Sequence, residues 1–182
     1  MKRPYEIIAE VKTRSPFGFQ AIETWDEQFE RAQRIGNMIS VHTDPRWGGS
    51  FDLLKRARAL TVKPIVAKGI HATDDLISQA IDTGADWVLV VGRIPAVHAD
   101  RCLIEPLTLP ELVALPSRLR AVWNSRDIET GGLKKETFTD ARKIWNGWLC
   151  QASNIKTIAD VEASANAILV GTHLREFEKS LN

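Results

Sequence analysis

Eight short apolar segments, spread along the whole chain, constrain the fold more than any other feature of the sequence. They are the stretches EIIAEV, MISVH, PIVAK, WVLVV, CLIE, RAVWN, WLCQA and AILVG. Most are nearly continuously apolar, which is typical of strands buried on both faces of a parallel sheet. We interpret all of them as β-strands.

Segments with helical spacing lie between most of these strands. The clearest are TWDEQFERAQRIG, SFDLLKRARAL and ATDDLISQAIDTGAD, the last of which begins with Thr and Asp and ends at Gly84. Alternation of strand and helix predicts a parallel sheet, and the number of repeats favours a closed (β/α)8 TIM barrel, an α/β fold, formed by residues 1–182 as one domain. An open doubly wound sheet is the alternative.

The length of the chain predicts a minimised barrel. It has 182 residues, whereas such barrels usually need about 250. The segment 92–101 after WVLVV contains Pro95 and shows no amphipathic period. Since ten extended residues span roughly 33 to 36 Å, this segment can return along a short strand without a helix. We therefore predict that at least one outer helix, the one after strand four, is missing.

The next connection, LTLPELVALPSR, contains Pro110 and Pro116 and allows about two helical turns at most. The flank of the barrel near strands four and five should therefore be thinly covered. Exposed apolar strand faces at this flank would favour a homo-oligomer or a partner protein that covers it, although polar loop residues could also suffice.

Composition and charge exclude several classes of function. The formal net charge is +1 with scattered Lys and Arg, so we expect no nucleic-acid partner. No apolar run has membrane-spanning length, and the N-terminal MKRPYE lacks the apolar part of a signal peptide, so we expect a cytoplasmic protein without a membrane partner. Cys102 and Cys150 lie in apolar surroundings that suit buried thiols.

The histidines are far apart in the sequence, which favours ordinary polar or core roles, and we expect no metal site. They are His42, His71, His98 and His173.

Charged and amide side chains recur where the strands end. In a parallel barrel these ends meet on one rim, which carries the reactive groups. A solvated strand end is the simpler interpretation of each residue alone, but their convergence favours a site. The residues are Glu10 and Lys12 after strand one, Lys68 at strand three, Glu105 at strand five, and Asn124 and Arg126 at strand six.

Small residues follow strands seven and eight, in the stretches ASN (152–154) and VGTH (170–173). Such loops, each opening a short helix, expose backbone N–H groups and a positive helix end to an anion, which predicts a phosphate site. A plain turn and N-cap at Gly171 and Thr172 is the alternative.

These segments together resemble the indole-3-glycerol phosphate synthase family. AEVKTRSP is similar to the family's A-E-x-K-x-x-S-P motif, and WNSRDIET to its N-x-R-D-L-x-T motif. The stretches ISVHTDPRWGGS, PIVAKGI, LIEPLTLPEL, ASNIKTIADVE and AILVGTHL resemble the family's second, third, fifth, seventh and eighth strands with their loops.

The resemblance implies a lyase of tryptophan biosynthesis that works without a cofactor. The reaction closes the indole ring of a phosphorylated aryl-amino sugar, 1-(2-carboxyphenylamino)-1-deoxyribulose 5-phosphate, with loss of CO2 and water. Lys68 is then the general acid and Glu105 the general base. The other implied residues are Lys12 and Glu10 at the substrate carboxylate, Asn124 and Arg126 at the hydroxyls, Ser15, Trp47 and Leu89 on the substrate, and Ser153, Asn154, Gly171 and Thr172 at the phosphate. For Trp47, core packing is the alternative.

The sequence departs from the family pattern in three respects. The family's E-S-G-I loop after strand seven is ASNI here, so Ala152 replaces a glutamate and Asn154 a glycine. The family's Asp and Phe after the general-acid lysine are Gly69 and Ile70, which changes the shape of the aryl slot. The family's N-terminal extension is absent before strand one, which predicts a more open barrel mouth.

Two further functions stay open at this point. One is a non-catalytic or repurposed relative that binds a phosphorylated sugar as a regulatory or interaction subunit. The other is a purely structural partner of another barrel. The retained Glu10, Lys12, Lys68 and Glu105 favour the enzyme, because like charges and desolvation in one cavity cost stability.

Overall fold

A computed structural model describes residues 4–181, which form a closed barrel of eight parallel strands in sequence order. The barrel closes where β1 pairs with β8, with Ile8 opposite Leu169. This closure confirms the TIM barrel and excludes the open sheet. The strands are β1 (Glu6–Val11), β2 (Met38–His42), β3 (Ile65–Lys68), β4 (Trp87–Val91), β5 (Cys102–Glu105), β6 (Arg120–Asn124), β7 (Leu149–Ala152) and β8 (Ala167–Val170).

The helices begin and end where the sequence signals lie. Thr24 and Glu27 form a capping box at the start of the first helix, Ser50 and Thr73 cap the next two, and Gly84 ends the third with φ of 119°. The described helices are α1 (Trp25–Ile35), α2 (Phe51–Leu60), α3 (Asp74–Thr83), α4 (Leu109–Ala114), α5 (Phe138–Ile144) and α6 (Leu174–Ser180).

The connection between β4 and β5 confirms the predicted loss of an outer helix. Residues 92–101 contain a three-residue 3-10 turn, Ala99–Arg101, in place of an α-helix. The next helix, α4, has only six residues. Three apolar side chains are exposed on this flank, Ile94 by 45%, Val97 by 37% and Val113 by 62%. A partner or second copy covering them stays a prediction.

A second outer helix is also replaced. β7 leads into a 3-10 turn, Ile158–Asp160, so the expectation that both phosphate loops open a helix holds for α6 and is wrong for an α-helix after β7. The short connection between β7 and β8, which begins with the polar segment ASNIKT, leaves too few residues with helical spacing to form an amphipathic face.

Two apolar layers make up the core. One lies between the strands and the surrounding helices. The other fills the barrel and includes Ile8, Val66, Leu103 and Val122. Because side chains alternate along a strand, the same inward register brings the side chains at the strand ends to the top of this inner layer.

Both cysteines are buried free thiols, as predicted. Burial raises the pKa of Cys102 to about 11 and raises that of Cys150 further. Within residues 4–181, no helix is long and apolar enough to cross a membrane.

Candidate active site

A cavity of about 990 Å³, counted to its open mouth, lies at the C-terminal ends of the strands. All the residues that the sequence assigned to a site line it, although this placement does not test their separate roles. They are Glu10, Lys12, Ser15, Trp47, Lys68, Leu89, Glu105, Asn124, Arg126, Ser153, Asn154, Gly171 and Thr172.

Glu10 is the centre of the charged part of this cavity. Its Oε1 accepts hydrogen bonds from Lys68 Nζ at 2.6 Å and from His42 Nε2 at 2.7 Å. Lys12 Nζ lies 3.7 Å from its other oxygen. Since Glu10 is only 2% exposed, it is not a solvated strand end. The first and third strands thus share one buried ionic cluster.

The electrostatics of this cluster follow from the surplus of positive charge. Burial opposes ionisation of Glu10, but Lys68 and Lys12 outweigh it and hold the pKa of Glu10 well below its usual value. Burial lowers the pKa of Lys12, and the opposing attraction of Glu10 does not fully offset this. Glu10 is therefore a carboxylate at neutral pH that holds two lysines at the cavity.

Gly171, directly after β8, leaves the room that Glu10 occupies. A Cβ at this position would lie 1.6 Å from Glu10 Oε2. Because His42 and Lys68 both bind the other oxygen of Glu10, the carboxylate cannot move away from such a Cβ without breaking these bonds. The glycine at the eighth strand end therefore serves the ionic cluster directly.

A second polar chain occupies the opposite wall. Asn124 Nδ2 donates to Glu105 Oε1 at 2.8 Å, and Ser153 Oγ donates to Asn124 Oδ1 at 2.6 Å. Burial raises the pKa of Glu105, although Lys68 and the Asn124 hydrogen bond act in the opposite direction. Glu105 can therefore accept and return a proton nearer to neutral pH than an ordinary carboxyl group.

The loop after β7 adopts left-handed backbone at two successive non-glycine residues. Ser153 has φ of 71° and Asn154 has φ of 58°, so asparagine does take the conformation expected of the family's glycine. Ala152 is buried in the inner layer of the barrel opposite Asn124. A glutamate at this position would have faced the cavity, and its absence leaves Asn124 and Ser153 as the polar groups of this wall.

The loop after β8 faces the same space. α6 begins after His173, whose side chain makes no capping bond, so Thr172 is not the N-cap that the alternative interpretation required. Burial lowers the pKa of His173, and the nearby positive charges of Lys156, Arg126 and Lys12 act in the same direction. Three positive charges therefore lie near the loop after β8.

Aromatic and aliphatic side chains form the remaining wall. Trp47 is half-buried rather than in the core and stacks on His42, with ring centres 5.8 Å apart and planes 5° apart. Phe17 meets the edge of Trp47 at 6.4 Å. A Cβ on Gly131 would lie 2.5 Å from the Phe17 ring, so the loop after β1 reaches the loop after β6 and covers part of the mouth. Leu89 and Ile70 complete this wall.

The sequence interpretation missed His42 and Phe17 as residues of this site. The inward register of β2 contained the signal for His42, because Met38, Ser40 and His42 alternate towards the barrel interior and two of them are polar. Phe17 follows the Ser15–Pro16 turn, in which Ser15 Oγ accepts a hydrogen bond from the Phe17 N–H at 3.3 Å. Nothing local to that turn showed where the aromatic ring would point.

Within residues 4–181, no group of three or more His, Cys, Asp or Glu side chains is arranged to hold a metal ion.

Comparison with known proteins places these residues in a family. The family model for indole-3-glycerol phosphate synthase matches residues 1–106 of the chain. The chain belongs to the indole-3-glycerol phosphate synthase family. The matched part includes Glu10, Lys12, Lys68 and Glu105, and the loops after β7 and β8 lie beyond it.

Individual members of the indole-3-glycerol phosphate synthase family are moderately similar to the chain. The enzyme of that name from Campylobacter curvus is 32% identical over 98 residues, which cover 50% of this chain and 37% of the relative. The one from Sulfurisphaera tokodaii is 33% identical over 90 residues, covering 48% and 37%. The chain thus spans little more than a third of the length of the curated relatives it matches.

Among solved structures, a variant tryptophan synthase α-subunit from Pyrococcus furiosus aligns with a TM-score of 0.60. It is 12% identical and the alignment covers 96% of this chain and 91% of that one. At this identity the likeness supports the barrel fold alone.

Proposed function

We propose that this chain is an indole-3-glycerol phosphate synthase-like carbon–carbon lyase. Its substrate would be 1-(2-carboxyphenylamino)-1-deoxyribulose 5-phosphate, which closes to the indole product with loss of one CO2 and one water. The observation that carries the proposal is that a lysine paired with a buried carboxylate, Lys68 with Glu10 at 2.6 Å, shares one cavity with a second carboxyl group, Glu105, whose pKa is raised.

Ring closure needs an acid at the sugar carbonyl. Lys68 Nζ projects into the cavity with 17% of its side chain exposed and is held by Glu10. An ammonium group fixed in this way can donate its proton to the carbonyl oxygen as the carbon–carbon bond forms, and loss of CO2 then restores the aromatic ring. The ionised Glu10 keeps the donor in place without competing for a second proton.

The later loss of water needs a group that removes a proton. Glu105 fits this role, because burial raises its pKa towards the working pH and Asn124 fixes one of its oxygens. It lines the same cavity as Lys68, so the acid and the base can act on one bound substrate.

Binding would use the rest of the cavity. Lys12 would pair with the substrate carboxylate until it leaves as CO2, and Trp47 with Leu89 would contact the aryl ring. The phosphate would lie between the loops after β7 and β8, near the positive charges of Arg126 and Lys156, with backbone N–H groups from 153–154 and 171–172. The proposed roles of Ser15, Asn124 and Thr172 are contacts with the sugar phosphate.

The test is an assay for the fluorescent indole product with purified protein. We expect turnover, and we expect Lys68→Ala to lower kcat/KM at least 100-fold, since removing a general acid typically costs about 10²–10⁴-fold. Lys55→Ala, at an exposed position of α2, is the matched control and should leave kcat/KM unchanged. Absence of product at high enzyme concentration would contradict the proposal.

A second candidate is favoured by Ala152, where the family has a glutamate. It is a non-catalytic relative that binds a phosphorylated sugar. In that case the same compound would raise the melting temperature without forming product, and Arg126→Ala or Thr172→Val would remove the shift. Ala152→Glu separates the two, because a gain of turnover would locate the defect in the loop after β7.

A further inference from the structure

We propose that His42 is a positioning residue that fixes the Glu10 carboxylate, and through it Lys68, while the stacked ring of Trp47 fixes the plane of the imidazole. The resemblance assigned no role to His42. This inference rests on the proposed function for its kinetic consequence, whereas its structural part does not depend on turnover.

Glu10 Oε1 accepts hydrogen bonds from two side chains. His42 Nε2 lies 2.7 Å and Lys68 Nζ 2.6 Å from this single oxygen. The position of the carboxylate, and therefore the place where Lys68 presents its proton, depends on both donors. Removing one donor leaves Oε1 with a single partner, so the carboxylate can shift and move Lys68 with it.

The surroundings of His42 indicate its protonation state. The ring is buried, and its Nδ1 has no hydrogen-bond partner among residues 4–181. A proton on Nδ1 would therefore be a buried unpaired donor, which costs free energy. Since Glu10 is ionised, the consistent state is a neutral imidazole whose Nε2–H donates to the carboxylate. Burial lowers the pKa of His42 despite the attraction of Glu10.

The imidazole ring of His42 is held by a stacked tryptophan. His42 and Trp47 are nearly parallel, with planes 5° apart, and Phe17 packs edge-on against Trp47 from the mouth. Trp47 is also the residue that we assign to the substrate's aryl ring. Trp47 is therefore connected to Lys68 by successive contacts through His42 and Glu10.

Several charged groups face the imidazole and influence its pKa. Glu10 and Lys12 come from the β1 end, Lys68 comes from β3, and Asp44 follows His42 on its own connection. Burial is the largest cause of the lowered pKa of His42; Lys68 and Lys12 act in the same direction and Glu10 acts against them.

The experiment compares His42→Phe, which keeps a flat ring but loses the donor, with His42→Gln, whose amide N–H can reach the same oxygen. With the proposed substrate, we expect His42→Phe to lower kcat about 10- to 100-fold, as loss of an outer hydrogen-bond partner does in other sites, with KM changed less than about twofold. His42→Gln should recover most of kcat. Ser40→Ala is the control, because it alters a buried inward position of the same strand whose Oγ makes no hydrogen bond.

A readout without substrate keeps the two proposals apart. The His42 bond helps to lower the pKa of Glu10, so in His42→Phe the Glu10 carboxyl carbon, followed by NMR, should titrate at higher pH than in the wild type or His42→Gln. If the wild type shows no turnover, the proposed function fails but this titration still tests the positioning role. Equal titration and equal kcat in His42→Phe and the wild type would overturn the inference, and so would equal losses in His42→Phe and His42→Gln.

Discussion

Gly171 shows how one residue without a side chain determines the arrangement of three side chains in the cavity. The space of its missing Cβ is filled by the Glu10 carboxylate, which in turn holds Lys68 and His42. The small residue at this strand end therefore makes room for a neighbouring carboxylate. The sequence predicted an anion at this loop, which stays a prediction, and it could not show the carboxylate contact because this joins residues at opposite ends of the chain.

Gly171→Ala should consequently damage the site rather than the fold. The new methyl group would displace Glu10 from Lys68, so we expect a loss of kcat of at least about 10-fold, by the same reasoning as for a misplaced catalytic group. Gly132→Ala is the matched control, because a Cβ there meets only Thr130 Oγ1 at 3.4 Å, an ordinary contact. The indole assay measures the effect, and an unchanged rate in Gly171→Ala would contradict the packing argument.

At the scale of single elements, helix α1 connects stability to the site. Its buried Gln28 accepts the backbone N–H of Lys12 through Oε1 at 2.8 Å, so the helix fixes the start of the loop that carries the cavity's first lysine. The helix itself begins at a capping box, in which Thr24 Oγ1 accepts the Glu27 N–H at 3.3 Å and Glu27 Oε2 accepts the Thr24 N–H at 2.7 Å. Local sequence signals of this kind are why the helix bounds were predictable.

Thr24→Ala removes one half of that capping box. We expect the free energy of unfolding to fall by about 1 kcal/mol, the usual cost of losing a threonine N-cap. Urea denaturation measures this, with Glu30→Ala at an exposed position of the same helix as the control. A fall in Glu30→Ala as large as that in Thr24→Ala would contradict a specific contribution of the cap to the stability of α1, because alanine itself has high helix propensity.

For the whole molecule, the ionisation of many carboxyl groups sets how stability depends on pH. Hydrogen bonds from backbone N–H groups lower the pKa of Glu27, Asp127, Asp140 and Asp160, and the cations around it lower that of Glu10 despite its burial. For a group whose pKa is lower in the folded state, the stabilisation is present above the unfolded value and disappears as the pH falls through the folded one. Glu105 has the opposite sign, because burial raises its pKa.

We therefore expect the free energy of unfolding to decrease as the pH falls below about 4, the ordinary range of carboxyl groups. Glu105→Gln should be more stable than the wild type at neutral pH, where the wild type holds a buried carboxylate, and this difference should vanish at acid pH. Urea titrations across that range measure both effects. A Glu105→Gln variant that is less stable at neutral pH would contradict the sign for Glu105.

The whole fold was more predictable than the arrangement inside the cavity. Each strand was marked by its own apolar run. The missing helix between β4 and β5 was indicated by the short length of the connection and by Pro95, so local sequence was enough to predict the fold. The family resemblance brought the lysines and glutamates together. The alternation of β2 places His42 inward, but its contacts with Glu10 and Trp47 join different elements, and the contact of Phe17 with Trp47 joins two loops, which no local pattern encodes.

The missing helix between β4 and β5 also has a consequence for aggregation. Removing cover from an open sheet would expose an edge strand, whose unpaired N–H and C=O groups can recruit another chain. In this closed barrel, β4 and β5 each pair with a strand on both sides, so the thin flank exposes apolar side chains but no free strand edge. Shortening the barrel in this place therefore leaves its backbone unable to nucleate intermolecular β-sheet.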